Sequence, residues 1–125
     1  MPTSGRVEAW KSAWESRDAA MVAALYAPDA THESALIAQI YPELGRLVLR
    51  GRHEIAVYAR RGLARFTELR FEILTVTESG DRAAVEYRRH SNVDGAIQPQ
   101  VLELIEWRGD LISAVRVFHF HADAR

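Results

Sequence analysis

Three features of the sequence predict an α+β fold with helices packed on one face of a bent, mainly antiparallel sheet. Apolar residues recur at helical spacing from Val7 to Tyr26, and again from Ile55 to Phe66. From Glu68 onward the period switches to two, and turn signals divide the chain into strand-length runs. Between the helical stretches, Pro28-Asp29 forces a corner, because proline cannot continue a helix and restricts the residue before it. The 125 residues are enough for one domain with a real core, taken as 1–125, and too few for two.

The first helix carries Val7, Trp10, Ala13, Trp14 and Arg17 at helical intervals. Its two indoles point to a deep apolar layer, with Trp14 as core and Trp10 as a residue that either joins the core or lines a ligand pocket. Asp18 is a good N-cap for a second helix, Ala19 to Tyr26. A strand follows, entered through Ala30-Thr31. Residues 35–50 are mostly apolar, with one break at Pro42-Glu43. They read either as a lid beside a pocket or as an extra turn of helix without a binding role. Gly51-Arg52-His53-Glu54-Ile55 opens a third helix whose inner face is Ile55, Ala59, Leu63 and Phe66, with Arg60, Arg61 and Arg65 on the solvated side.

Four strands complete the chain. Leu69, Phe71 and Ile73 alternate with polar residues up to a turn at Ser79-Gly80-Asp81. The second strand runs from about Ala83 to Val93 and ends at the hairpin signal Asp94-Gly95. A third runs from Gln98 to Trp107 and turns at Arg108-Gly109-Asp110 into the last, Leu111 to His121. That turn spells the integrin-binding tripeptide and reads as turn chemistry.

Acidic and basic residues nearly cancel, with a net charge of −1, so neither nucleic acid nor an anionic membrane is expected as a partner. There is no cysteine, which excludes disulfides and thiolate chemistry. No apolar run approaches a membrane span and no signal-peptide core is present, so a cytoplasmic protein is expected.

Alternation divides each strand into two sets without saying which set faces the helices. Glu86, Arg88 and His90 oppose Val85, Tyr87 and Arg89. Val101, Glu103, Ile105 and Trp107 oppose Leu102, Leu104 and Glu106. Ala114, Arg116, Phe118 and Phe120 oppose Val115, Val117, His119 and His121.

The stretch Leu25-Tyr26-Ala27-Pro28-Asp29-Ala30-Thr31-His32-Glu33, a helix end running into a strand, resembles the opening of the SnoaL-like and ketosteroid-isomerase-like proteins of the NTF2-like superfamily. The resemblance extends over nearly the whole chain. It implies a cone-shaped barrel, three N-terminal helices on a curved sheet, a small-molecule ligand, and no cofactor or metal. It places pocket positions on Trp10, Ser34, Glu86, Arg88, His90, Glu103, Arg116 and Phe118, with His32 on the same inward face. The other set of each strand then forms the outer face these proteins use for dimerisation, giving a homodimer that buries Tyr87, Leu104 and Val117.

The sequence departs from the isomerase pattern at its reactive positions. The general-base aspartate falls on Ser34, the oxyanion tyrosine on Trp10, and the protonated aspartic acid on Glu103. Only Glu103 keeps a comparable group, so steroid isomerisation by that route is not expected. What the resemblance leaves is a charged cluster. Glu103 or His32 would be a base and Arg88 or Arg116 an oxyanion partner, with Glu86 alongside, in an isomerase- or cyclase-like proton transfer on a small carbonyl compound. Three rivals stand beside it. Glu86, Arg88 and Glu103 match the residue types of limonene epoxide hydrolase, a hydrolase of the same superfamily. His32, His90 and Glu103 could form a two-histidine, one-carboxylate metal set. The cluster could also be a buried ion-pair network in a non-catalytic ligand-binding or assembly module.

Overall fold

The computed structural model describes residues 5–120. Helix α1 (Gly5–Ser16) is followed by α2 (Ala19–Ala24) and strand β1 (Tyr26–Glu33). A short helix α3 (Ile37–Ile40), a 3-10 turn (Pro42–Leu44) and strand β2 (Val48–Arg50) lead into helix α4 (Arg52–Leu63). Strands β3 (Leu69–Ser79), β4 (Arg82–Ser91), β5 (Gln100–Arg108) and β6 (Leu111–Phe120) complete the chain. The sheet order is β2-β1-β6-β5-β4-β3, antiparallel everywhere except where β1 runs parallel to β6. It is curved but not closed, with β2 and β3 as its edges. The expected α+β architecture is therefore present.

Asp18 caps α2 by accepting from the backbone N–H groups of Ala20 and Met21. The helix ends at Ala24 rather than at the expected Tyr26. The Leu25 carbonyl accepts from Ile112 N–H, which draws the chain into the sheet early, and Tyr26 already pairs with Ile112. Pro28 then falls inside β1, where the register with β6 shifts between Tyr26 and Thr31, so a residue without N–H is tolerated. Gly51 takes φ +88°, and a side chain there would meet the Pro28 carbonyl oxygen at 3.4 Å, so this junction of β2 and α4 needs glycine.

Two bidentate ion pairs tie the 35–50 segment to its surroundings: Arg61 to Glu43 and Arg46 to Glu54. Ile37 is fully buried, and Leu36 and Ile40 reach the inner cavity, so the segment forms part of the cavity wall.

The register corrects two of the predicted strand faces. Glu103 pairs with Val85 on β4 and with Val117 on β6. Ala83, Val85 and Tyr87 are accordingly buried on the inner side, as are Val101, Glu103, Ile105 and Trp107, together with Val115. Of these three strands only β5 has the expected orientation; on β1, His32 also faces inward as expected, with Ser34 just past it. On β4 and β6 the sets carrying Glu86, Arg88, His90, Arg116 and Phe118 face outward. Burying the apolar sets leaves those charges in water, which avoids the desolvation that an inward charged cluster would incur. Tyr87 and Val117 are therefore not on the outer face, and that apolar surface consists of Leu102, Leu104, Phe118 and Phe120.

Candidate functional site

The inner face of β4–β6 and the helices line a small cavity of about 70 Å³ that is partly open to solvent. His32, Ser34, Tyr87 and Glu103 contribute its polar groups. Trp14, Tyr58, Leu63, Phe66 and Val117 form apolar walls, and Arg65, Arg89 and His119 also line it.

Glu103 sits on β5 among inward apolar neighbours and is 5 % exposed. Its Oε2 accepts from the Tyr87 hydroxyl at 2.5 Å, while Oε1 has no hydrogen-bond partner. Burial pushes the carboxyl up to about 7, against the opposing pull of the Tyr87 hydroxyl and the Trp10 indole. The Trp10 N–H is near enough to exert that pull but does not reach hydrogen-bond geometry, since its Nε1 is also unpartnered. Trp10 is fully buried behind the site, in ring contact with Phe71 and Tyr87, and the indole lining the cavity is Trp14. Trp10 thus takes the core alternative, and Trp14, which packs against the core as expected, also lines the cavity.

The neighbours of Glu103 hold their protons. Burial raises the Tyr87 phenol well above its ordinary range, and the Glu103 charge adds to that effect. Burial likewise raises Tyr26 well above its ordinary value, and Tyr58 to about 12. His32 is 3 % exposed, and burial lowers it to about 4, so the imidazole is neutral at neutral pH. Its Nδ1 lies 3.1 Å from the Tyr26 hydroxyl. Because that phenol keeps its proton, it can donate to Nδ1 and leave the imidazole proton on Nε2. Ser34 is buried, and its Oγ accepts from Leu36 N–H. The arrangement is one carboxyl that titrates near neutrality beside neutral donors and apolar walls, in a cavity that Arg65 and Arg89 also line.

Of the site residues predicted from sequence, Glu103, His32 and Ser34 line this cavity, and Trp10 backs it. The other five do not join them. Glu86 accepts from Thr75 and Gln100 on the outer face. His90 is bonded to Glu72 at 2.8 Å, and Arg88 approaches the same carboxylate at 3.9 Å. Arg116 lies over the Phe118 ring, which is 48 % exposed. The epoxide-hydrolase set is therefore split across the sheet, as is the proposed metal set, which loses His90. The buried ion-pair network does not form either. Among the described residues, no group of three or more metal-ligating side chains converges.

Several residues at the cavity were missed by sequence reasoning, Tyr58 and Tyr87 among them. Arg89 shares the parity of Val85 and Tyr87, and their apolar character was the available signal. Arg65, just past the end of α4, is exposed as expected of the solvated side, and its side chain also lines the cavity. His119 was placed outside and lines the cavity, whereas His121 lies outside the described residues.

A family model described as the SnoaL-like domain matches residues 7–124. Among solved structures, a SnoaL-like protein of unknown function from Burkholderia thailandensis is 24 % identical, with a TM-score of 0.75 over 91 % of this chain and 90 % of that one. A protein with a ketosteroid isomerase-like fold from Catenulispora acidiphila, solved with trimethylamine, is 22 % identical, with a TM-score of 0.74 over 94 % of this chain and 86 % of that one. A provisionally assigned polyketide cyclase from Sinorhizobium meliloti is 17 % identical, with a TM-score of 0.73 over 93 % of this chain and 95 % of that one. No curated protein matches the sequence. Among the described residues no helix is long and apolar enough to cross a membrane.

Proposed function

The chain belongs to the SnoaL-like family, and from that premise we propose that it is an enzyme moving a proton on a small carbonyl compound, with Glu103 as the proton-transfer group. The observation that carries this reading is the buried Glu103 carboxyl, held near pH 7 at the cavity with one oxygen unpartnered. In the forward step the carboxylate takes the proton from the carbon next to the carbonyl. The C–H electron pair moves into the new C=C bond of an enolate, and the former carbonyl oxygen takes the negative charge. Neutral donors at the site, His32 Nε2–H and the Tyr58 hydroxyl, hydrogen-bond that oxygen. Glu103 then returns the proton to a carbon of the same skeleton. The arginines expected to serve the oxyanion, Arg88 and Arg116, have no part in this step, because they lie on the other face of the sheet.

The aromatic walls would also suit a small alkylammonium, such as the trimethylamine bound by the Catenulispora protein. Arg65 and Arg89 oppose a cation at this cavity, which favours the carbonyl reading.

The test is deuterium incorporation at the α-carbon of a panel of small ketones in D2O, followed by NMR. Exchange should depend on the protein and vanish in Glu103→Gln, whose amide keeps the shape and loses the base. A panel without protein-dependent exchange, or exchange unchanged in the variant, would overturn the reading.

The same proposal includes a homodimer in the cytoplasm. Leu102 pairs with Phe118, and Phe120 lies beside them, and these three are 37 %, 48 % and 66 % exposed. Such a patch on an open sheet face is suited to a second copy. Phe118→Glu should convert the dimer to monomer in sedimentation, and a wild type that is monomeric at micromolar concentration would defeat the idea.

A further inference from the structure

We propose that the ligand of this cavity carries a carboxylate on an apolar body, and that Arg65, supported by Arg89, selects for that charge. The inference deepens the proton-transfer reading by naming a substrate class, and it rests on that reading only for the reacting end of the molecule.

Arg65 and Arg89 both line the cavity, and their guanidinium carbons lie 5.0 Å and 5.3 Å from the centroid of the Phe66 ring. The two cations are not equivalent. Arg89 is matched by Asp94 through two bonds, Nε to Oδ2 at 2.9 Å and Nη2 to Oδ1 at 2.8 Å. Ser91 Oγ also donates to that carboxylate at 2.7 Å, which fixes the pair in place. Arg65 donates from Nε to the Gly62 carbonyl at 3.1 Å and forms no ion pair among the described residues. Of these two cations only Arg89 is matched by the Asp94 carboxylate, so Arg65 is the one without an ion pair among the described residues. Partial burial and the charge of Arg89 both disfavour that cation, pulling Arg65 below its ordinary value. An anion docking there would offset the charge of Arg89 and give the Arg65 cation a partner.

The walls define the rest of the ligand. Trp14, Tyr58, Leu63 and Phe66 offer apolar and aromatic surface in the same cavity as the arginines and the polar groups. A molecule with a carboxylate at one end, a ring or branched chain in the middle and a carbonyl at the other matches all three zones. Arginine suits the first zone because its planar fork pairs with carboxylate through parallel N–H bonds.

The probes are 2-naphthoate and its neutral near-isostere 2-naphthamide, with binding read from quenching of tryptophan fluorescence, since Trp14 is in the wall. At low ionic strength the carboxylate should bind about tenfold more tightly than the amide, and the advantage should shrink with added salt. Arg65→Gln should bring the two within about twofold while leaving the amide unchanged, and Arg65→Lys should retain most of the preference. The same titration in Glu103→Gln separates this idea from the catalytic one, because charge preference should survive there even where exchange chemistry is lost. Three outcomes would overturn the proposal. They are equal binding of carboxylate and amide to wild type, a preference undiminished in a folded Arg65→Gln, and no saturable binding of any carboxylate from benzoate to naphthoate.

Discussion

Glu72 and Glu103 are two carboxylates on one sheet, and the fold moves them in opposite directions. Glu72, on β3, stands in water and accepts from His90 with Arg88 nearby, and that hydrogen bond holds its carboxyl below the ordinary range. Glu103, on β5, faces inward with one phenol as its donor, and burial raises it to about 7. The outer face has the greater number of charged groups, yet they are solvated and mostly matched. The inner face has a single carboxyl with an oxygen left over. A density of charge along strands is therefore a poor guide to chemistry, and desolvation of one group among neutral donors is a better one.

The sharpest way to break this contrast is to neutralise each carboxylate in turn. Glu103→Gln should lower α-carbon exchange by about 10³-fold, the usual scale of a lost general base. Glu72→Gln should leave exchange unchanged, because its partners lie across the sheet from the cavity. Equal effects of the two substitutions would erase the distinction between the faces.

Stability as a function of pH sharpens it next. Glu103 has an ordinary value of 4.5 and about 7 in the fold, so between these limits the folded state binds more protons than the unfolded one. Its contribution therefore falls as pH rises from about 4.5 to about 7, by about 3 kcal/mol in total. His32 works the other way. Its value drops from 6.5 to about 4, so the unfolded state binds more protons across that window and stability rises with pH. In wild type the two slopes oppose each other between pH 4.5 and 6.5. Glu103→Gln should unmask a rise in urea midpoint with pH, and His32→Asn a fall. Parallel profiles for the two variants would show that neither group is buried as described.

Much of the fold and part of the site were legible in the sequence. Period changes located the helices and strands, and Asp18 and Asp81 marked boundaries through cap and turn chemistry. Glu103, His32 and Ser34 were reachable from alternation together with the family resemblance. The faces of β4 and β6 were not, because alternation gives parity but not polarity, and a carried-over alignment supplied the wrong polarity. Apolar content would have corrected it: Val85, Tyr87, Val115 and Val117 gain more by burial than Glu86, Arg88 and Arg116 could by pairing. Arg89 was lost with the same decision. Arg65 was read correctly as solvated, but its reach to the cavity was not legible, because it lies past the end of α4, where helical periodicity no longer fixes direction.

A smaller perturbation probes the donor to Glu103. Tyr87→Phe removes the hydroxyl that lowers the carboxyl's pKa and leaves Oε2 without a partner. The midpoint of the pH–exchange profile should move upward, and stability should fall by about 1–2 kcal/mol at a pH where Glu103 is ionised. A downward shift would mean that the phenol opposes the charged form.

The smallest expected effect belongs to Arg116, and it bears directly on which face is inside. Were Arg116 buried beside Glu103, truncating it would leave an unpaired buried acid and cost about 3–5 kcal/mol. In the structure Arg116 pairs with Leu104 across the β5–β6 ladder, is exposed, and has its guanidinium 5.9 Å from the Phe118 ring centroid. A cation over an exposed ring contributes about 0.5–1 kcal/mol at most, and surface substitutions away from buried features commonly fall within about 0.5 kcal/mol. Arg116→Ala should therefore shift the urea midpoint only slightly and leave α-carbon exchange and naphthoate binding unchanged. Paired with Glu103→Gln it should be additive, because the two side chains point to opposite sides of the sheet and share no partner. A coupling energy above about 1 kcal/mol in that double-mutant cycle would place the two groups on one face and overturn the assignment on which the whole site depends.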